Sequence, residues 1–217
     1  MARFRNKLPV RLGFGIGTPI FGEAMLATES GFFGMKEVNA IQANQSAQGA
    51  RVNLAPVHKF KVFFSAICAA TAVQAICVFV MLAYLVFVLN VDFGTKVPLI
   101  LLACVVSSFT GVSYGAFLSS VIKSGEGLKI SLLISSSLAM SFLSGLMYVD
   151  MKYIVEKNAP VIAFLNPANA VTDAFYSLYY YDTNTRFFTN IAILLGFSAV
   201  FYLGVYFVMR RQKYESI

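Results

Sequence analysis

The run Val62–Leu89, VFFSAICAATAVQAICVFVMLAYLVFVL, contains no charged residue. A helix needs about 20 consecutive apolar residues to cross the hydrocarbon core of a bilayer, and this run exceeds that length. Three more apolar blocks follow it, at Val97–Ile122, Leu128–Tyr148 and Phe187–Met209. Hydrophobic residues make up 58% of the chain and charged residues 12%, which is too apolar for an ordinary soluble domain. The pattern predicts an all-α, polytopic membrane protein, with residues 1–217 forming a single transmembrane domain.

The block that precedes this run, Leu12–Met35, is apolar but irregular. Glycines and a proline weaken its first half, and Glu23 and Glu29 lie within it. A charge near the centre of an isolated membrane helix costs on the order of 3 kcal/mol, so these acids are expected to face other helices or water. They could line a transport pathway, or they could be neutralised or lie near an interface. With this block, the chain has about five membrane segments.

The polar interval Lys36–Lys61 separates these first two apolar blocks. Its cations are Lys36, Arg51, Lys59 and Lys61, and Glu37 is its only acid. The formal net charge of the chain is +7, and most of it lies in this loop and the two tails. That distribution suits contact with anionic lipid rather than with nucleic acid. Because short loops rich in Lys and Arg stay in the cytoplasm, we predict that this loop is a docking surface on which a soluble cytoplasmic partner pushes.

Orientation follows from the C-terminal tail, where Arg210, Arg211 and Lys213 form a cytoplasmic stop signal. Alternation from this tail predicts a multi-pass protein of the cell membrane, with Asp150–Arg186 outside, and with Lys123–Lys129 and the Lys36–Lys61 loop inside. Five crossings would place the basic N-terminal tail outside, against the positive-inside rule. Either the tail is held outside, or Leu12–Met35 does not cross fully, or an upstream helix is missing.

Small residues recur at every fourth position of Val97–Ile122: Ser107, Gly111, Gly115 and Ser119. This spacing puts them on one face of a helix, where another backbone can approach closely. In the next block Gly145 is expected to continue a similar face from Ser137 and Ser141. We predict helix packing at these positions, either within the monomer or between subunits.

The interval Asp150–Thr185 is neither an ordinary loop nor a full span, because Pro160 and Pro167 interrupt its apolar groups. Asn166 before Pro167 is typical of a helix start, since asparagine caps free amides and proline presets the first turn. We predict two short helices that dip into the outer leaflet and return. This re-entrant hairpin, residues 150–186 before the last span, would close the outer end of a pathway.

The stretch FLSGLMYVDMKYIVEKNAPVIAFLNPANAVTDAFYSLYYYD, residues 142–182, resembles the end of the permease subunit of type-2 ABC exporters. In that family a helix with a Ser-Gly-Leu pattern, here residues 144–146, precedes a re-entrant hairpin with a Leu-Asn-Pro motif, here residues 165–167. The loop FFGMKEVNAIQ…ARVNLAPVHKFK is similar to the family's cytoplasmic segment, with Glu37, Pro56 and Lys59 at matching places.

The resemblance implies a dimer with a second permease copy or a homologue, joined to two cytoplasmic ATPase subunits that press on the loop. The coupling residues would be Glu37, Arg51, Pro56 and Lys59. Because the family has six spans, it also implies that a first span is missing here. The sequence itself has neither a GxxxxGK[ST] phosphate loop nor a nucleophile–base–orienter set, so we expect ATP hydrolysis on a separate subunit. We predict no cofactor and, from the Cys and His spacing, no metal site.

Two other functional classes stay open. An ion-coupled secondary transporter needs intramembrane ionisable residues on several spans, and only Glu23 and Glu29 qualify. A non-transporting membrane scaffold would explain the small-residue face, but it leaves the basic loop and the hairpin without a use. The sequence does not specify the substrate.

Overall fold

The computed structural model describes residues 30–41, 51, 59–88, 96–122, 124–180 and 183–211, which contain helices and no strand. The helices are α1 (residues 30–41), α2 (Lys59–Phe87), α3 (Val97–Val121), α4 (Glu126–Leu143), α5 (Val149–Asn158), α6 (Pro160–Leu165), α7 (Pro167–Tyr180) and α8 (Thr185–Arg211). The predicted all-α fold class is confirmed.

Within the described part of the chain, four helical segments are long and apolar enough to cross a membrane: Lys61–Tyr84, Val97–Val121, Glu126–Leu143 and Thr185–Arg210. They carry large exposed apolar side chains, such as Phe64, Ile76 and Phe188, which lipid would cover. The polytopic membrane class is therefore confirmed. Most of the Leu12–Met35 block, with Glu23 and Glu29, lies outside the described residues.

Helix α3 is the central helix of the bundle. Half of its apolar window is buried, against 22% to 28% in the other three spans. It packs against α2, α4, α7 and α8. Only a central helix needs small residues on several faces, which explains why glycine, serine and alanine are frequent in this apolar segment.

The bundle has an apolar core near each end. One core joins α1, the start of α2, the end of α3 and the end of α8, through Val38, Ile67, Val112, Ala116 and Val205. The other joins the end of α2, the start of α3, α7 and the start of α8, through Leu82, Cys104, Val171, Phe175 and Phe187. We call these regions the α1 end and the α7 end.

Helix α4 ends earlier than the sequence predicted, and Gly145 does not continue its small face. The helix stops at Leu143, and Gly145 takes a positive φ of 83°. The Leu146 N–H bonds to the Ser141 carbonyl, and the Gly145 N–H bonds to the Phe142 carbonyl. These two bonds form a Schellman motif, which needs a left-handed residue that glycine adopts without a steric penalty. The expectation for Gly145 was therefore wrong, since this residue closes the helix.

The segment between α4 and α8 contains three helices, not the two that were predicted. Pro160 begins α6 and Pro167 begins α7, each at a first helical position where no N–H is required. The Asn166 Oδ1 accepts a hydrogen bond from the Ala168 N–H at 3.0 Å and so caps α7. The break at Pro160 separates α5 from α6, so the part before Pro167 forms two helices and not one.

Candidate functional site

Helices α1 and α3 cross with their backbones in contact. A Cβ atom added to Gly115 would lie 1.9 Å from the Gly31 carbonyl oxygen, and one added to Gly34 would lie 1.9 Å from the Val112 carbonyl oxygen. No side chain larger than hydrogen fits at either position. The four predicted packing residues, Ser107, Gly111, Gly115 and Ser119, are all buried on α3, and α1 covers the part that includes Gly115 and Ser119.

Three polar side chains from three helices meet beside this crossing: Lys129 of α4, Asn39 of α1 and Ser119 of α3. We call them the Lys129 cluster. The Lys129 Nζ donates to Asn39 Oδ1 at 2.6 Å and to Ser119 Oγ at 3.2 Å. The Ser119 hydroxyl in turn donates to Asn39 Oδ1 at 2.9 Å. Through these bonds the cluster connects α1 to both α3 and α4.

The Lys129 cluster is buried, and its asparagine is incompletely bonded among the described residues. Lys129 is 0% exposed and Asn39 is 9% exposed. An ammonium group only donates hydrogen bonds, so the oxygen of the Asn39 amide must face it. The Asn39 Nδ2 therefore points the other way, where it is buried and no acceptor among the described residues bonds to it. An unsatisfied buried donor of this kind costs about 1–3 kcal/mol.

Sequence analysis missed this cluster because Lys129 was interpreted only as a cation that flanks the connection between two spans. In the structure α4 starts at Glu126, so Lys129 lies within its first turn and faces α1 and α3. The sequence does contain a pattern that indicates a buried position for Lys129. The buried residues of α4 are Lys129, Leu133, Ser137 and Ser141, which repeat every fourth position as one helical face does.

A cleft lies between α3, α4 and α7, with about 450 Å³ of empty space that is open to its surroundings. Its walls include Ser107, Thr110, Ser137, Met140 and Val171. The Ser107 hydroxyl donates to the Cys104 carbonyl, and the Thr110 hydroxyl donates to the Val106 carbonyl. Since backbone carbonyls already accept these hydroxyl protons, the cleft presents a largely apolar wall.

A charged cluster at the α7 end was not anticipated from the sequence. Asp173 of α7 forms an ion pair with Lys152 of α5, and the Arg186 Nη2 of α8 lies 3.9 Å from its other carboxylate oxygen. The Lys152 Nζ also lies 5.4 Å from the centre of the Tyr176 ring. We call these four residues the Asp173 cluster. It connects the three-helix segment to the start of α8.

Asn166 fastens the same segment to α4. Its Nδ2 donates to the Met140 carbonyl at 2.8 Å, in addition to the cap that its oxygen provides.

Of the residues predicted to couple to an ATPase, Glu37 lies on α1, and burial raises the pKa of its carboxyl group. Arg51 is exposed, Lys59 begins α2, and Pro56 lies outside the described residues. Among the residues that the structure describes, no group of His, Cys, Asp and Glu is arranged to hold a metal ion.

Comparison with known proteins gives one match. A search of curated proteins and a search of solved structures each found no significant similarity. A family model described as ABC-2 family transporter protein matches residues 20–207. The matched range includes α1–α7 and most of α8, and therefore both the Lys129 cluster and the Asp173 cluster. The chain thus belongs to the ABC-2 family of transporter proteins, as a multi-pass membrane component of a transporter.

Proposed function

We propose that the chain is the permease subunit of an ATP-driven exporter, and that a separate ATPase moves it by docking on the Lys36–Lys61 loop. The observation that carries this proposal is the crossing of α1 and α3. Helix α1 extends into the loop at Lys36, and its backbone contacts the central helix through Gly31, Gly34 and Gly115. Because no side chain separates the two backbones, a displacement of the loop would act directly on the contact between α1 and α3.

The charge and exposure of the loop support a protein partner. Lys36, Arg51 and Lys61 are exposed, while Glu37 is half-buried. Exposed cations at the edge of a membrane domain can pair with acidic groups of a docked protein, which raises the rate of association more than the affinity. In this proposal the loop and the C-terminus lie in the cytoplasm, as the positive-inside rule requires.

The three-helix segment would form the outer closure of the pathway. Four large apolar side chains of α6, Val161, Ile162, Phe164 and Leu165, are exposed. They suit contact with the acyl chains of the outer leaflet or with a second permease copy. The Asp173 cluster and the Asn166 cap would hold this closure rigid while the α1 end moves.

The test is purification of the tagged chain from its native membranes, followed by assay of ATP hydrolysis in the bound material. We expect an ATPase subunit to co-purify. Arg51→Glu should lower its retention at least several-fold, because one attractive charge becomes repulsive. Lys157→Glu, which makes the same charge change at an exposed position of α5, is the matched control and should retain the ATPase.

Two results would refute this proposal. One is the absence of an ATPase from the purified material under conditions where the permease stays folded. The other is labelling of the Lys36–Lys61 loop from outside intact cells by an impermeant reagent.

A further inference from the structure

We propose that the Lys129 cluster is a latch, which holds α1 against α3 and α4 in the conformation described here and opens during each transport cycle. The inference rests on the proposed function, since it assigns a moving contact to the ATP-driven cycle.

The burial of Lys129 makes its contact with Asn39 costly to break. An ammonium group removed from water is costly unless hydrogen bonds satisfy it. Lys129 is fully buried in a helix long enough to cross a membrane, and it bonds to α1 and α3 at once. If α1 moves away, the amine keeps the Ser119 hydroxyl of α3 but loses the Asn39 oxygen, which is its shorter hydrogen bond. The lost bond is the free-energy cost that separates a closed arrangement of the α1 end from an open one.

The partner of Lys129 is weaker than a single substitution could make it. An aspartate at position 39 would have nearly the same shape, would pair its charge with the ammonium group, and would have no N–H to leave unbonded. The chain instead has an asparagine whose Nδ2 is buried and finds no acceptor among the described residues. A contact that must open and close repeatedly benefits from this weakness, because a strong ion pair would trap one of the two states.

The position of Asn39 exposes the latch to a force on the loop. Asn39 lies two residues beyond Glu37 on α1, within the part of α1 that belongs to the Lys36–Lys61 loop. The glycine contacts at Gly31 and Gly34 lie further into the bundle on the same helix. A partner that displaces the loop would therefore load the Asn39 bonds before it loads the glycine contacts.

The first test is Asn39→Asp, with two measurements. The purified permease in detergent should denature at a higher temperature, because a charged pair replaces a neutral acceptor. In the complex with its ATPase, transport-coupled hydrolysis should fall by about tenfold, since opening must now break a stronger contact. A variant that is more stable but hydrolyses ATP at the normal rate would overturn the latch, and so would a variant that is less stable.

The second test measures opening directly through the accessibility of Ser119→Cys to a small maleimide. Ser119 is fully buried in the described state, so the thiol should react slowly without ATP and several-fold faster during ATP hydrolysis. Ser113→Cys is the matched control, because Ser113 is equally buried on α3 but donates to the Thr110 carbonyl outside the cluster. The parent chain corrects for the exposed Cys68 and Cys77.

The outcomes separate the latch from the function on which it rests. Faster labelling of Ser119→Cys alone supports the latch, and suppression of this change by Asn39→Asp supports it further. Equal change at both cysteines, or no change while ATP is hydrolysed, overturns it. If no ATPase can be recovered at all, the proposed function fails, and the denaturation of Asn39→Asp still tests whether the amide is the weaker partner.

Discussion

The Lys129 cluster and the Asp173 cluster each join three helices with few polar side chains, but they satisfy their charges differently. At the α1 end a fully buried cation bonds to the oxygen of a neutral amide, and the nitrogen of that amide has no partner among the described residues. At the α7 end a carboxylate lies between two cations, and one of these also contacts an aromatic ring. A fully paired cluster defines one arrangement, whereas an incompletely paired one leaves a small free-energy gap to an alternative.

The contacts between helices also differ at the two ends: large side chains interlock at the α7 end, and glycine backbones touch at the α1 end. At the α7 end, large side chains such as Phe175, Phe187 and Leu194 fill the core between α7 and α8. At the α1 end, side chains such as Ile41, Phe63 and Ile67 also fill a core, but α1 and α3 touch through glycine backbones with no intervening side chain. Interlocked large side chains resist displacement, whereas glycine contacts bring two backbones together without interlocking side chains. We therefore propose that the α7 end stays rigid while the α1 end moves.

The largest effect is expected from Gly115→Ala, which tests the glycine contact. The added Cβ would overlap the Gly31 backbone, and backbone atoms cannot rotate away as the end of a side chain can. We expect a loss of about 3 kcal/mol, at the upper end of the range for overpacked positions. Thermal denaturation in detergent and the yield of monodisperse protein would measure this loss.

Gly196→Ala on α8 is the control, because a Cβ at Gly196 would meet nothing within 4 Å. Alanine has the higher helix propensity, so this variant should be neutral or more stable by up to about 1 kcal/mol. Equal stability of the two variants would contradict the close crossing of α1 and α3, and with it the proposed transmission of motion.

An intermediate effect is expected from Asp173→Asn, which tests the rigidity of the α7 end. The change leaves Lys152 and Arg186 without their shared carboxylate, and Lys152 is largely shielded from solvent. Because the site retains some solvent, we expect a loss of about 2 kcal/mol, between the values for exposed and buried pairs. Limited proteolysis of the α5–α7 segment and thermal denaturation would both detect it.

Glu156→Gln provides the comparison for Asp173→Asn. Glu156 lies 4.0 Å from Lys152, but its side chain is 44% exposed, so the expected loss is below about 0.5 kcal/mol. If the two variants lost the same stability, the Asp173 cluster would be an ordinary surface pair, and the contrast between the two ends would no longer hold.

The sequence was sufficient to predict the features that local rules determine. The run Val62–Leu89 requires a membrane helix by its length, and Asn166 followed by Pro167 predicted the start of α7. Both inferences depend on residues that are neighbours in the chain. The spacing of Ser107 to Ser119 predicted a packing face, but it did not identify α1 as the helix that packs there.

The features that the sequence did not reveal depend on contacts between distant residues or on where a helix ends. Lys129 resembles a loop cation until Asn39 and Ser119 are placed around it. Asp173 resembles one acid among tyrosines until Lys152 and Arg186 converge on it. Gly145 continues a four-residue spacing in the sequence, yet a Schellman motif ends the helix before that spacing applies.

The smallest effect is expected from Glu37→Gln. In this variant stability and function should change in opposite directions. Burial raises the pKa of Glu37 above its ordinary value of 4.5, so the fold binds this proton more tightly than the unfolded chain does. The stability that this proton provides is present below pH 4.5 and is lost as the pH rises through the higher pKa of the folded state. Parent and variant should therefore be equally stable at low pH, and the variant should be slightly more stable at pH 7.

The proposed role of Glu37 in docking predicts the reverse for function at pH 7, where Glu37→Gln should weaken the coupling of ATP hydrolysis to transport. Denaturation temperatures between pH 4.5 and pH 8, with coupling measured on the same preparations, would test both halves. If Glu37→Gln were both more stable and fully coupled, α1 would lose its assignment as the point where the motor acts, and the difference between the two ends would concern stability alone.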